Sequence, residues 1–201
     1  TAQTASTAQV VEVDGNIVKE MGDPTEIALI KASYLFGFKP EILAKTHTVL
    51  DTLPFSSETM FSAAMVKDSS GGAELLLKGA PEKLVHMANT VDQDGKKIVL
   101  DDQSKALLVK ALNSRAEKGF RLIGFLKVHL NEPLVKGGLK QYCLSVVNGT
   151  FLGFTVIYDP PKDEVKQVIQ TAHDANIQLV MITGDSKQTG LSIAEQVGIT
   201  N

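Results

Sequence analysis

The stretch that most constrains this chain is Leu179-Val180-Met181-Ile182-Thr183-Gly184-Asp185. Four apolar residues follow one another without alternation, and the run stops at a hydroxyl, a glycine and a carboxylate. Such a run predicts a strand buried on both faces, the condition of a parallel sheet. Beyond it, Leu191, Ala194 and Val197 recur at helical spacing, and Gly198 stands where a helix C-terminus takes a left-handed residue. Thr183-Gly184-Asp185 is therefore expected at the turn between a strand's carboxyl end and a helix's amino end. Ligands bind at that edge of an open α/β sheet, and free helix N–H groups there favour phosphate. The same residues also suit an ordinary turn, with Gly184 serving its backbone and Asp185 as helix cap.

Upstream, residues 151–158 (FLGFTVIY) are strand-like and Asp159-Pro160-Pro161 ends them. Residues 162–175 predict a helix with Val165, Val168, Ile169 and Ala172 on one stripe. Strand, helix, strand, helix is a right-handed crossover unit of a doubly wound sheet. Two parallel strands cannot bury both faces, so the sheet is expected to be cut off at Asn201. The opening residue, Thr1 where a start methionine is usual, likewise points to an excised piece of a longer chain.

A net charge of −3 argues against a polybasic grip on nucleic acid or anionic lipid. One cysteine, Cys143, excludes an internal disulfide framework and suits a reducing compartment. No apolar run approaches the ~20 residues of a membrane helix, and no signal peptide is visible. No Cys/His cluster has metal spacing, and His47, His86, His129 and His173 are scattered.

The earlier part of the chain has a different rhythm. Residues 1–9 are small and polar, an expected flexible end. Val10-Val11-Glu12-Val13 and Asn16-Ile17-Val18-Lys19 flank Asp14-Gly15, a hairpin signal. Gly22-Asp23-Pro24-Thr25-Glu26 then opens a helix: Asp23 as cap, Pro24 at the first helical position, Glu26 three residues past the cap. A capping box explains these five residues without any ligand. Residues 60–66 and 73–77 predict a second hairpin around a turn at 68–72. The second strand ends at Lys78-Gly79-Ala80-Pro81-Glu82, before a short helix. A lysine beside a helix amino end is badly placed for the helix dipole unless an anion lies between them. A solvated Lys78 is the alternative. Residues 92–95 predict a turn, and residues 102–118 an amphipathic helix burying Leu107, Leu108, Ala111, Leu112 and Ala116. A strand at 120–128 carries Arg121, a loop spans 131–141, and a strand at 142–147 is paired with that at 151 through Asn148-Gly149. The expected fold is thus an α+β unit over residues 1–155, with an antiparallel sheet and flanking helices. A partial parallel α/β unit follows over 156–201, with the seam at Asp159-Pro160-Pro161.

Taken together, Gly22-Asp23-Pro24-Thr25-Glu26, Lys78-Gly79-Ala80-Pro81-Glu82, Gly119-Phe120-Arg121-Leu122, Asp159-Pro160-Pro161-Lys162 and Met181-Ile182-Thr183-Gly184-Asp185 occur in one order. From about residue 20 onward, that order resembles the cytoplasmic catalytic loop of P-type (E1-E2) ATPases, the ion pumps of membranes. The first two motifs look most like the calcium-pump and bacterial cation-pump branch. The resemblance implies a nucleotide-binding domain over 1–155 and part of a haloacid-dehalogenase-like phosphorylation domain over 156–201. It implies ATP or ADP as ligand, Mg2+ in the parent protein, and the pump's membrane, actuator and remaining phosphorylation parts as partners. The fragment is expected on the cytoplasmic face of a membrane, soluble by itself. By analogy Phe55 stacks on adenine, Glu26 sits near its exocyclic amine, Lys78 and Gly79 beside base and phosphates, and Arg121 near the phosphates. Thr183, Gly184 and Asp185 receive the γ-phosphate end. Relatives usually carry a lysine five residues after the stacking phenylalanine; Met60 stands there in this chain. The family's Asp-Lys-Thr-Gly-Thr motif, whose aspartate is phosphorylated, does not occur in the sequence. The chain alone is therefore expected to bind nucleotide without turning it over. The alternatives are a haloacid-dehalogenase-like phosphatase, for which no convincing Asp-x-Asp pair precedes residue 151, and a non-catalytic interaction module.

Overall fold

The computed structural model describes residues 4, 6, 8–13, 16–39, 42, 45–68, 72–117, 120–133, 137–158, 161–183 and 187–199. The chain divides into two compact units. The first comprises Thr1–Val109 with Ile123–Thr155, the second Lys110–Leu122 with Val156–Asn201.

In the first unit β1 (Gln9–Val13) and β2 (Asn16–Met21) pair antiparallel, as their alternation predicts, and Val13 lies opposite Asn16. The intervening Asp14-Gly15 lies outside the described residues. Helix α1 (Pro24–Leu35) follows. A seven-stranded sheet is built from β3 (His47–Leu53), β4 (Phe61–Asp68), β5 (Ala73–Gly79), β6 (Ala88–Gln93), β7 (Lys96–Val99), β8 (Arg121–Leu130) and β9 (Gly149–Ile157). Its order is β3-β4-β5-β8-β9-β6-β7. Helices α2 (Pro81–His86), α3 (Asp102–Ala116) and α4 (Leu139–Ser145) connect or flank these strands.

The sheet is mixed, not antiparallel as expected from sequence. β3/β4, β4/β5, β5/β8 and β6/β7 are antiparallel, but β6 and β9 run parallel, with Val91 opposite Phe151. Parallel neighbours need a long crossover, and β7, α3, β8 and α4 all lie between these two in sequence. The hairpin expected around Asn148-Gly149 gives way for a related reason. Leu139 and Cys143 are both buried and four residues apart, which is helical spacing, so that segment is α4. Gly149 lies within β9, where an added Cβ would meet Leu126 Cδ1 at 2.7 Å.

β4 and β5 are covered on both faces. Phe61, Leu75, Leu77, Leu84, Leu126, Val128 and Phe151 are essentially sealed from solvent, while Ala64, Val66 and Leu76 form a cluster across the two strands. Such continuous burial fixes register, because a one-residue slip would exchange the two faces. In α3 only Leu112 of the expected stripe is buried, and Leu107 is 63% exposed.

The second unit contains α5 (Asp163–Asp174) and α6 (Lys187–Val197). Ile169, Ala194 and Val197 are buried, whereas Val168 and Leu191 of the expected stripes are exposed. Gly198 closes α6 with φ +90°, as its position predicts, and Ile199 N donates to Ala194 O at 2.9 Å. The strand expected at 179–182 is not formed. Residues 177–183 carry no regular secondary structure, and Val180 and Ile182 are 75% and 93% exposed. A strand exists through its ladder of hydrogen bonds. Among the described residues no strand pairs with this run.

Candidate functional site

Successive side chains of β5 alternate between faces, so Leu76 and Lys78 share one and Leu75 and Leu77 the other. Lys78 is flanked in register by Ser62 of β4 and Phe125 of β8. It is 5% exposed and therefore not the solvated lysine that composition alone allows. A buried ammonium needs a partner, and Glu26 supplies it: Lys78 Nζ donates to Glu26 Oε1 at 2.6 Å. Burial pushes the Lys78 ammonium below its ordinary value; the hydrogen bond and charge of Glu26, and the charge of Asp23, act against that shift. The anion that the sequence calls for beside Lys78 is thus a carboxylate of the same chain.

Glu26 reaches this position because Asp23 caps the helix. Asp23 Oδ1 accepts from Thr25 N at 2.8 Å and Glu26 N at 3.2 Å, and Pro24 opens α1 without wasting an N–H. Glu26, the residue a capping box would turn back toward the cap, extends its carboxylate to Lys78. Its second oxygen, Oε2, accepts from Ser6 Oγ at 2.9 Å and Ala8 N at 3.0 Å. Sequence reasoning missed both, since residues 1–9 carry no periodicity.

At the end of β5, Gly79 lies between Phe61 of β4 and Gly124 of β8. A Cβ on Gly79 would come within 2.3 Å of Met60 O and 2.5 Å of Phe61 Cα, and one on Gly124 within 2.7 Å of Pro81 Cα. Only glycine allows these backbone approaches. The 54–60 loop is tied to this edge by Ala80 N donating to Met60 O at 2.9 Å. Inside the loop, Thr59 is buried and donates to Phe61 O at 3.0 Å, while Ser56 and Thr59 hydroxyls bond at 2.9 Å. Met60 takes φ +62°, a left-handed conformation that costs a non-glycine residue about 1–2 kcal/mol. On this loop Phe55 is 61% exposed.

Glu26, Phe55, Lys78 and Gly79 all belong to the first unit. Arg121, exposed at the first position of β8, and Thr183, also exposed, belong to the second. Pro161 is half-buried. Asp159, Pro160, Gly184 and Asp185 lie outside the described residues. Among the described residues no group of three or more His, Cys, Asp or Glu side chains is placed to hold a metal ion, and no helix is long and apolar enough to cross a membrane. A groove of about 820 Å³ between the β1–β2 hairpin and α1, lined by Ile17, Ile27, Ala28, Tyr34 and Leu35 among others, includes none of the four site residues.

A mixed sheet with flanking helices is consistent with one known class of domain. The family model for P-type ATPase, cytoplasmic domain N, matches residues 2–164. The chain belongs to that family. It is 33% identical over 192 residues to a calcium-transporting ATPase 1 of Bacillus cereus, covering 92% of this chain and 20% of the relative. It is 30% identical over 184 residues to a calcium-transporting ATPase of Bacillus subtilis, with the same two coverages. It is also 29% identical over 198 residues to the sodium/potassium-transporting ATPase subunit alpha-1 of Catostomus commersonii, covering 94% of this chain and 19% of that protein. The chain thus spans about a fifth of the length of these relatives.

Proposed function

We propose that this chain is the ATP-binding portion of a cation-transporting P-type ATPase, a pump that couples ATP hydrolysis to ion movement through an aspartyl-phosphate. The observation that carries this is one sheet end: exposed Phe55 sits on a loop hydrogen-bonded beside the buried, carboxylate-paired Lys78 and its neighbour Gly79. Phe55 stacks on adenine, a contact worth about 1–3 kcal/mol for a base on an aromatic ring. Glu26 accepts from the exocyclic amine, and Lys78 and Gly79 line the base and its phosphate side. Arg121 lies with the phosphates, and Thr183-Gly184-Asp185 receive the γ-phosphate end.

Residues 1–155 are assigned to the nucleotide-binding domain and 156–201 to part of the phosphorylation domain, with Asp159-Pro160-Pro161 as hinge. Phosphoryl transfer depends on positioning and charge, and the phosphorylated Asp-Lys-Thr-Gly-Thr motif does not occur in the sequence, so the chain alone holds nucleotide without turning it over. Its partners are the pump's membrane, actuator and remaining phosphorylation parts, at the cytoplasmic face. No residue here is assigned to the magnesium of the parent reaction. The transported ion is decided elsewhere, and the relatives' names divide between calcium and sodium/potassium.

Thermal melting with and without millimolar ATP or ADP tests the assignment. A ligand that favours the folded state raises the melting temperature by mass action; a folded chain whose melting does not respond opposes it.

A further inference from the structure

Asn148-Gly149 has the composition of a hairpin turn, but Gly149 is the first residue of β9. Asn148 is the only asparagine in the chain that is followed by glycine, and it is exposed. Gly149 is tied into the sheet. Its N–H donates to Met87 O at 3.1 Å, and it lies opposite Ala88 where β9 runs parallel to β6. Next along β9, the hydroxyl of buried Thr150 bonds that of Thr90 in β6 at 3.0 Å. A Cβ on Gly149 would lie 2.7 Å from Leu126 Cδ1 and 2.8 Å from Cδ2. Leu126 is itself sealed from solvent, so that clash is not relieved cheaply. The packing of β9 thus demands a glycine directly after an exposed asparagine.

Asparagine before glycine is chemically labile, because glycine has no side chain to shield its nitrogen and lets the backbone bend into a ring. The Gly149 amide proton is lost to solvent base, its nitrogen bonds to Asn148 Cγ, and Nδ2 takes up a proton and leaves as ammonia. Water then opens the cyclic imide at one carbonyl or the other, giving aspartate or isoaspartate. The nitrogen that must attack is the one that donates to Met87 O. A proton held in a sheet hydrogen bond is released only when that bond opens, as in amide exchange. In isoaspartate the main chain runs through the former side-chain methylene and is longer by a carbon. Gly149 then cannot regain both its bond to Met87 and its seat against Leu126.

We propose that Asn148 is a deamidation site held shut by the hydrogen bond from Gly149 to Met87, and that isoaspartate formed there during local opening keeps the first residues of β9 from docking again. The reaction needs only water and base, so it records openings of this strand end irreversibly.

Peptide mapping by mass spectrometry tests it on the 201-residue chain at neutral pH, folded in buffer and unfolded in urea, with Asn148→Gln as the blank. Amide-to-acid conversion at Asn148 is expected to be at least about tenfold slower in the folded chain, since the reaction draws on the open fraction alone. A folded rate less than about tenfold below the unfolded rate overturns the protection. The isoaspartyl chain, recovered from urea and refolded, is expected to melt below Asn148→Asp, which carries the same charge on an unlengthened backbone. An isoaspartyl chain that melts with Asn148→Asp overturns the block to redocking.

Discussion

Lys78 and Glu26 are 52 residues apart in sequence and joined by a 2.6 Å ion pair in which both side chains are largely shielded from water. Removing one member of a buried pair leaves an uncompensated charge, while replacing both by apolar groups of similar size is often neutral. Glu26→Leu is therefore expected to lower unfolding stability by about 3–5 kcal/mol. Adding Lys78→Met recovers most of that loss. Urea unfolding of the two single variants and the double variant, compared as a cycle, gives the coupling directly.

The same pair sets a pH dependence. Burial lowers the Lys78 ammonium from its ordinary 10.5 in the folded chain. Between that lowered value and 10.5 the unfolded chain binds more protons at this residue than the folded one. Stability contributed by Lys78 therefore rises with pH across that window and is flat below it. The difference in unfolding free energy between wild type and Lys78→Met, followed from pH 7 upward, should change in favour of wild type. A difference that moves the other way shows that the pair with Glu26 outweighs burial.

Gly79→Ala places a methyl group 2.3 Å from Met60 O and 2.5 Å from Phe61 Cα. Backbone must shift, at a cost of about 1–3 kcal/mol or more for an overpacked site. Because those atoms hold the loop that carries Phe55, nucleotide affinity is expected to fall beyond what stability explains. Calorimetry well below the variant's melting temperature separates the two effects.

The family resemblance implies a lysine where Met60 stands, on the loop that bonds Ala80 N. Its side chain is 38% exposed, so lysine fits without burying a charge. Met60→Lys is expected to raise ATP affinity about three- to tenfold at low salt and less at high salt, since exposed charges are screened. An unchanged affinity at low salt shows that the phosphates lie elsewhere.

Much of the fold was legible because its signals are local. Asp23 and Pro24 announce α1, Asp94 and Gly95 turn β6 into β7 with positive φ, and Gly198 ends α6. Signals that depend on partners were not legible. Edge strand β3 has no apolar run, since most of its residues face solvent. Leu139 reads as loop and Cys143 as strand until their four-residue spacing is compared with burial. The apolar 179–182 run predicts a strand whose pairing is not found among the described residues. At the site, the Lys78-Gly79 and Glu26 motifs stand out in the sequence, but Ser6, Ala8, Ser62, Phe125 and Thr59 do not. These residues matter through distant neighbours, and a single sequence records spacing along the chain only.

The measurement closest to the central claim is an ATP titration of wild type and Phe55→Ala by calorimetry. Saturable binding by wild type, weakened about five- to 150-fold in Phe55→Ala as loss of base stacking requires, is the predicted result. A folded wild type that takes up no ATP at millimolar concentration, or a Phe55→Ala chain that binds as well as wild type, contradicts it.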